Sequence, residues 1–308
     1  MTKRDAFIAF RRSLGPTPRL HRLTVTTRGI DFAVWHTAPV QDSLPLLCIN
    51  GGLLYDHSLL WPALSPLAAK RQLFFYDQRG RGKTPPPPGA KKARIEHDAG
   101  DVAAIREALG IARWDLLGHS WGGGIALLAA ERDLAATRAV VAVCPVGATS
   151  AWMPALDAAA LARLGPAERA VLERYPPSSL DSDDPNVQSA HSRAIYPAWF
   201  ADRELAAMFS PPRATSITGA AVAAQLRREG YDWKALLRAL PVPVLVIQAE
   251  RDLLPSESTR ELVQTLGSSA RLVVVPASGH MPFWEAPERF FALIDSYLSA
   301  PAQEWVPP

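Results

Sequence analysis

The sequence predicts an α/β protein. Its sheet is mostly parallel and eight-stranded, with helices on both faces and a helical cap inserted between two strands. Short runs rich in Val, Leu and Ile alternate with helix-like stretches along most of the chain. Six of those runs are apolar on both faces, as strands covered by helices on each side must be. The alternation breaks once, between Gly147 and Pro241, where only helix-like pieces remain. A chain of 308 residues, 48% hydrophobic, is long enough for one such domain with an insertion.

The elements follow in order. Residues 1–20 form a basic arm, in which Lys3, Arg4, Arg11, Arg12 and Arg19 face a single acid, Asp5. These charges do not make the basic–aromatic stacking pattern of a nucleic-acid groove. The whole chain carries a formal charge of only +3, so the arm reads as a solvated helix and no nucleic-acid partner is expected. Polar–apolar alternation in "RLTVTTRG" and "DFAVWHTA" predicts a hairpin. The covered strands are "LPLLCIN", "QLFFYD", "RWDLLGH", "AVVAVCPV", "VPVLVIQA" and "ARLVVVPA". Helices are expected over 57–69, 94–110, 122–133, 256–267 and 286–299. The core is therefore residues 21–147 and 236–308, and the cap is residues 148–235, punctuated by Pro176-Pro177, Asp184-Pro185 and Pro211-Pro212.

Cys48 and Cys144 each lie inside a strand-like run and read as packing thiols rather than a disulfide. No run approaches the ~20 apolar residues of a membrane helix, and "AFIAF" is too short for a secretory leader. A cytoplasmic protein with no membrane partner is expected. His21, His36, His97 and His191 have no clustered ligand partners, so neither a metal nor a cofactor is expected. Oligomeric state is not written in these features.

Chemistry concentrates around Ser120. Gly118-His119-Ser120-Trp121-Gly122 fits G-x-S-x-G, with strand "WDLL" before it and helix "GGIALLAA" after it. That context lifts a serine hydroxyl above a sheet on a tight turn. A phosphate loop is a poor rival, because G-x-x-x-x-G-K-[ST] has no match here. A serine needs a base to take its proton, and the base needs an orienting acid. Asp252 and His280 each lie just past a strand end, in "VIQAERDLLP" and "VVVPASGHMPF", and the chain order Ser–Asp–His fits the elbow. His280 would accept the Ser120 proton and Asp252 would fix the imidazole tautomer. The Trp121 N–H, directly after the serine, is a candidate donor to the developing oxyanion. Asp77, Arg79 and Arg81 in "FFYDQRGRGKT" read as a charge network bracing a turn. His57, opening the helix beside Asn50-Gly51-Gly52, is a candidate pocket residue, as are Leu53, Trp199, Phe209 and Met281.

At "INGG", "YDQRGRGKT", "GHSWGG", "AERD" and "SGHMPFWEAPERF" the chain resembles the α/β-hydrolase family, and within it the proline iminopeptidases and their relatives. The resemblance spans most of residues 30–150 and 240–298. It implies a second oxyanion donor in the loop after "PLLCIN", with the Gly52 N–H as candidate and Gly51 and Leu53 as neighbours. It also brings departures. Asn50 replaces the family's histidine, and Leu53-Leu54 replace Pro-Gly. Leu253 stands where aminopeptidase relatives place a glutamate for the substrate amine, and Arg213-Ala214 where a further acid is expected. An ammonium buried without a counter-charge is unfavourable. The expectation is a serine hydrolase, acting through an acyl-enzyme on a small-molecule or short-peptide substrate: a small ester, lactone or amide with an apolar group. An aminopeptidase using Asp202 or Glu204 for the amine is the nearest alternative, and a biosynthetic acyltransferase or cyclase is the other.

Overall fold

The computed structural model describes residues 2–300 and 305–308. Eight strands form one sheet in the order β1-β2-β4-β3-β5-β6-β7-β8. They are β1 (His21–Thr27), β2 (Ile30–His36), β3 (Leu46–Ile49), β4 (Leu73–Tyr76), β5 (Trp114–His119), β6 (Thr137–Val143), β7 (Val244–Ala249) and β8 (Ala270–Val275). β1 and β2 pair antiparallel as a hairpin, β2 pairs antiparallel with β4, and the remaining pairs are parallel. The three central parallel strands β3, β5 and β7 are buried at every residue, because helices cover both faces of the sheet.

The α-helices begin with α1 (Lys3–Ser13), α2 (Ile95–Ala108) and α3 (Trp121–Arg132). Then come α4 (Met153–Arg163), α5 (Pro166–Arg174), α6 (Pro185–Ile195), α7 (Arg203–Ala206), α8 (Ile217–Glu229) and α9 (Lys234–Leu237). The chain ends with α10 (Ser256–Leu266), α11 (Pro282–Glu285) and α12 (Pro287–Ser299). Helices α4 to α9 all lie between β6 and β7, and an isolated bridge from Thr149 to Asp232 is the one strand-type pairing found there.

Two segments differ from the sequence expectation. Residues 57–69 form two 3-10 turns, His57–Leu59 and Ser65–Ala69, instead of one α-helix. Pro62 and Pro66 remove the amide donors that a continuous helix would need. The basic arm is docked rather than solvated. Phe7 is buried against Phe209 and Trp284, with ring centroids 5.3 and 5.6 Å away, and Phe10 stacks on Phe291 at 5.8 Å. One face of α1 thus carries two aromatic anchors while Arg4 and Arg12 stay at the surface.

Strand order positions the site. From β3 the chain moves outward to β4, then returns to place β5 on the other side of β3. The loops after β3 and β5 therefore diverge and leave a crevice at the carboxyl edge of the sheet, where ligands bind in open α/β sheets.

Candidate active site

Ser120 follows β5 directly and has φ 58° and ψ −122°. That region strains a serine by about 1–3 kcal/mol and persists only where the surroundings over-determine it. They do so here. The Ser120 N–H donates to the Val143 carbonyl at 2.9 Å, and its own carbonyl accepts from Gly123 N–H at 2.9 Å and Val146 N–H at 3.3 Å. Where α3 leaves the elbow, a side chain at Gly122 would collide with the Ile49 carbonyl of β3.

The loop after β3 comes equally close. A β-carbon on Gly51 would stand 2.7 Å from that of Ser120. Its backbone then turns left-handed at Gly52 (φ 74°) and Leu53 (φ 48°). Three side chains set this path. Gln78 donates to the Asn50 carbonyl at 2.9 Å, the Asn50 amide donates to the Tyr55 carbonyl at 3.0 Å, and Arg81 Nε donates to the Leu53 carbonyl at 2.7 Å. Arg81 is fully buried and is itself held by both oxygens of Asp98, at 2.9 and 3.0 Å. The N–H groups of Trp121 and Gly52 donate to no protein acceptor among the described residues, and those of Gly51 and Leu53 are equally uncommitted. As the first residue of α3, Trp121 has no intrahelical partner for its N–H.

Asp252 and His280 lie past the ends of β7 and β8. His280 Nδ1 donates to Asp252 Oδ1 at 2.8 Å, and the Leu254 N–H donates to the same oxygen at 3.1 Å. A neutral imidazole bonded this way carries its lone pair on Nε2. Burial alone would raise the Asp252 pKa, but the charge and hydrogen bond of His280, with the Leu254 N–H, outweigh it and hold the carboxyl below 3.8. The backbone of His280 is clamped from two sides. Its N–H donates to the Trp199 carbonyl at 2.7 Å, and its carbonyl accepts from His119 Nε2 at 2.8 Å. Burial, followed by the charge of His280, pushes the His119 pKa down to about 3. His119 is therefore a neutral strut between two strand ends.

Ser120 opens into a cavity of about 500 Å³. Gly52, Leu53, Trp121 and Trp199 line it, and Trp152, Met153 and Leu226 extend its apolar wall. Three expected pocket residues lie elsewhere. The His57 ring stacks on Trp35 at 3.6 Å and its Nδ1 donates to Asp77 Oδ1 at 2.8 Å, which turns it away from the cavity. Phe209 is drawn into the aromatic cluster that docks α1. Met281 is buried in the core beneath α11. The alternative amine anchors are off the cavity too: Asp202 caps α7 by accepting from Leu205 N–H at 2.9 Å, and Glu204 is exposed. Leu253 packs into an apolar cluster with Ala160, Leu164 and Leu172. In the turn after β4, Arg79 pairs with Asp101 and Arg81 with Asp98, forming a buried charge network.

Some supporting residues were not among the site candidates. Arg163, on α4, donates to the Asp252 carbonyl at 2.6 Å. Glu285 Oε1 accepts from the N–H groups of Ala201 and Asp202 at 2.9 and 3.0 Å, and its Oε2 accepts from Gly279 N–H at 2.5 Å. It joins the His280 loop to the segment before α7. The Cys144 sulfur lies within 4.8 Å of a carboxylate oxygen of Asp252 and of a ring nitrogen of His280. Arg163 and Cys144 lie outside the catalytic motifs, and Glu285 stands within "SGHMPFWEAPERF" with nothing local to mark its role.

The family described as alpha/beta hydrolase fold matches residues 45–287. A 2-hydroxymuconate semialdehyde hydrolase from Pseudomonas putida is 28% identical over 74% of this chain and 77% of its own. A proline iminopeptidase from Lactobacillus delbrueckii subsp. lactis is 23% identical over 90% of this chain and 99% of its own. Among solved structures, a thermophilic esterase from Thermogutta terrifontis superposes with a TM-score of 0.69 at 24% identity, covering 91% of this chain and 98% of the esterase.

Proposed function

The chain belongs to the α/β-hydrolase fold family and is a hydrolase, and from that premise we propose that Ser120, His280 and Asp252 form a catalytic triad acting on a small ester, lactone or amide with an apolar group. The observation that carries this reading is the strained Ser120 elbow, opening into a largely apolar cavity whose Trp199 ring lies 4.5 Å from that of His280 in the buried His280–Asp252 pair. In the proposed reaction, Ser120 Oγ attacks the substrate carbonyl carbon while His280 Nε2 takes its proton. The negative charge that develops on the carbonyl oxygen is met by the N–H groups of Trp121 and Gly52, already oriented before the reaction begins. The intermediate collapses by breaking the bond to the leaving group, which receives the proton from His280. Water then repeats the sequence on the acyl-enzyme, releasing the acid and restoring Ser120. Asp252, ionised throughout, stabilises the imidazolium formed twice per turnover.

The helices of residues 148–235 are proposed as the cap that sets substrate choice, since Trp152, Leu156, His191, Ile195, Trp199 and Leu226 come from them. Against an aminopeptidase reading, Asp157 is the one acid on the cavity wall among the described residues, and Arg227 shares that wall with it. A substrate ammonium would meet both signs of charge, with no buried carboxylate to receive it. Labelling with a fluorophosphonate probe tests the triad. One adduct is expected, on Ser120, and none in Ser120→Ala; an adduct on another serine would overturn the assignment.

A further inference from the structure

Among the polar side chains on the cavity wall, most are already committed. The Ser150 hydroxyl accepts from Tyr231 N–H at 3.1 Å, and the Ser192 hydroxyl donates to the Gln188 carbonyl at 3.3 Å. Asp157 and Arg227 are exposed and remain hydrated. His191 differs from all of these. It is only 6% exposed, yet its ring lines this cavity and also a second one of about 630 Å³, walled by α4, α5 and α6. Asp157, Pro177, His191 and Ile195 form the partition that the two cavities share.

The tautomer of His191 is set. Its Nδ1 lies 2.8 Å from the Tyr175 carbonyl, an acceptor, so Nδ1 carries the hydrogen. In the neutral ring Nε2 is then a bare acceptor, and it has no protein partner among the described residues. Burial lowers the His191 pKa below 6.5, which outweighs the Tyr175 bond and the charge of Asp157. Nε2 is not fully enclosed, so this one edge of a buried ring stays open and a ligand donor can reach it.

We propose that His191 is the polar anchor for substrate. Its Nε2 accepts a hydrogen bond from a hydroxyl or N–H carried on the apolar part of the substrate, remote from the scissile carbonyl. His191 comes from the cap and Ser120 from a strand end, and both line the one cavity, so a single bound molecule can meet both. This assignment rests on the reading of the cavity as the hydrolytic site.

The test uses p-nitrophenyl esters of ω-hydroxyalkanoic acids of increasing length. Each is compared with the ester in which a methyl group replaces the hydroxyl. At one chain length the wild-type enzyme should prefer the hydroxy ester by about tenfold in kcat/KM, the equivalent of ~1.4 kcal/mol. His191→Phe should bring that ratio close to one, and His191→Gln, which keeps an acceptor at similar reach, should restore most of it. Absence of a preference at every length in the wild-type enzyme would overturn the proposal, as would a preference that survives in His191→Phe. Calorimetric binding of the corresponding methyl esters to Ser120→Ala and to Ser120→Ala/His191→Phe separates this idea from the hydrolase reading. A His191-dependent preference in binding, together with no turnover of any of these esters by the wild-type enzyme, would support the anchor and overturn the ester-hydrolase reading.

Discussion

The two walls of the cavity are held by different means. On the sheet side the strand ends fix the backbone, and the Gln78, Asn50 and Arg81 side chains tie the loop after β3 to them. Ser120 is pinned through its own N–H and carbonyl, and Gly51 and Gly122 allow approaches that no side chain would permit. On the cap side, position is set by long side chains reaching backbone groups, as with Arg163 to Asp252 and Gln188 to the Leu180 carbonyl. The sheet wall therefore has one arrangement, set by strand ends that cannot move without breaking the sheet. The cap wall can change a side chain and keep its course. In the proposed function, chemistry belongs to the first and selectivity to the second.

Breaking the sheet wall should have the largest effect. Asp252→Asn preserves the shape of the site but favours the wrong imidazole tautomer, and kcat should fall on the order of 10⁴-fold with little change in KM. Steady-state kinetics on any ester turned over by the wild-type enzyme will read this. A loss confined to KM would place the orienting acid elsewhere.

The strut beneath that wall gives a smaller, pH-dependent effect. His119 has an ordinary pKa of 6.5 and about 3 in the folded protein, so the unfolded chain binds its proton first as pH falls. The neutral strut contributes fully above pH 6.5, and its contribution is lost progressively between there and about 3. The slope is up to ~1.4 kcal/mol per pH unit. His119→Gln keeps a donor for the His280 carbonyl and cannot titrate. Urea unfolding at pH 7, 6 and 5 should show wild-type stability falling more steeply than that of the variant, and parallel slopes would refute the strut.

The smallest effect is expected on the cap wall. Trp199→Ala removes a ring 4.5 Å from that of His280 but leaves the carbonyl that accepts from His280 N–H. Selectivity among ester chain lengths should shift by about tenfold toward longer chains, within the range a pocket methylene or two can command. Phe209→Ala, whose ring lies in the cluster around α1, should leave that selectivity where it was. Equal shifts in both variants would erase the distinction between the walls.

All eight strands, the elbow and the residues of the His280–Asp252 pair could be read from the sequence, because each rests on a local pattern. A buried parallel strand must be apolar on both faces, and a tight strand-to-helix turn must be flanked by glycine. The cap resisted the same reading. Phe209 and Trp199 are both aromatic residues of one proline-broken stretch, yet one docks the N-terminal helix while the other lines the cavity. Sequence reasoning singles out His57 for the pocket and sets His191 aside, and the tertiary structure reverses the two: Trp35 and Asp77 turn the first away from the cavity, while the Tyr175 carbonyl fixes the second beside it.

The sequence by itself determined the order of strands and helices and which residues sit at strand ends, since periodicity and turn chemistry act over a few neighbouring positions. Only the tertiary structure decided which side chains meet across the sheet edge. Arg81 reaches back 28 residues to the Leu53 carbonyl, and His119 reaches 161 forward to that of His280. Such contacts are selected by the packing of whole layers, where each buried polar atom must find its partner wherever the fold has placed one.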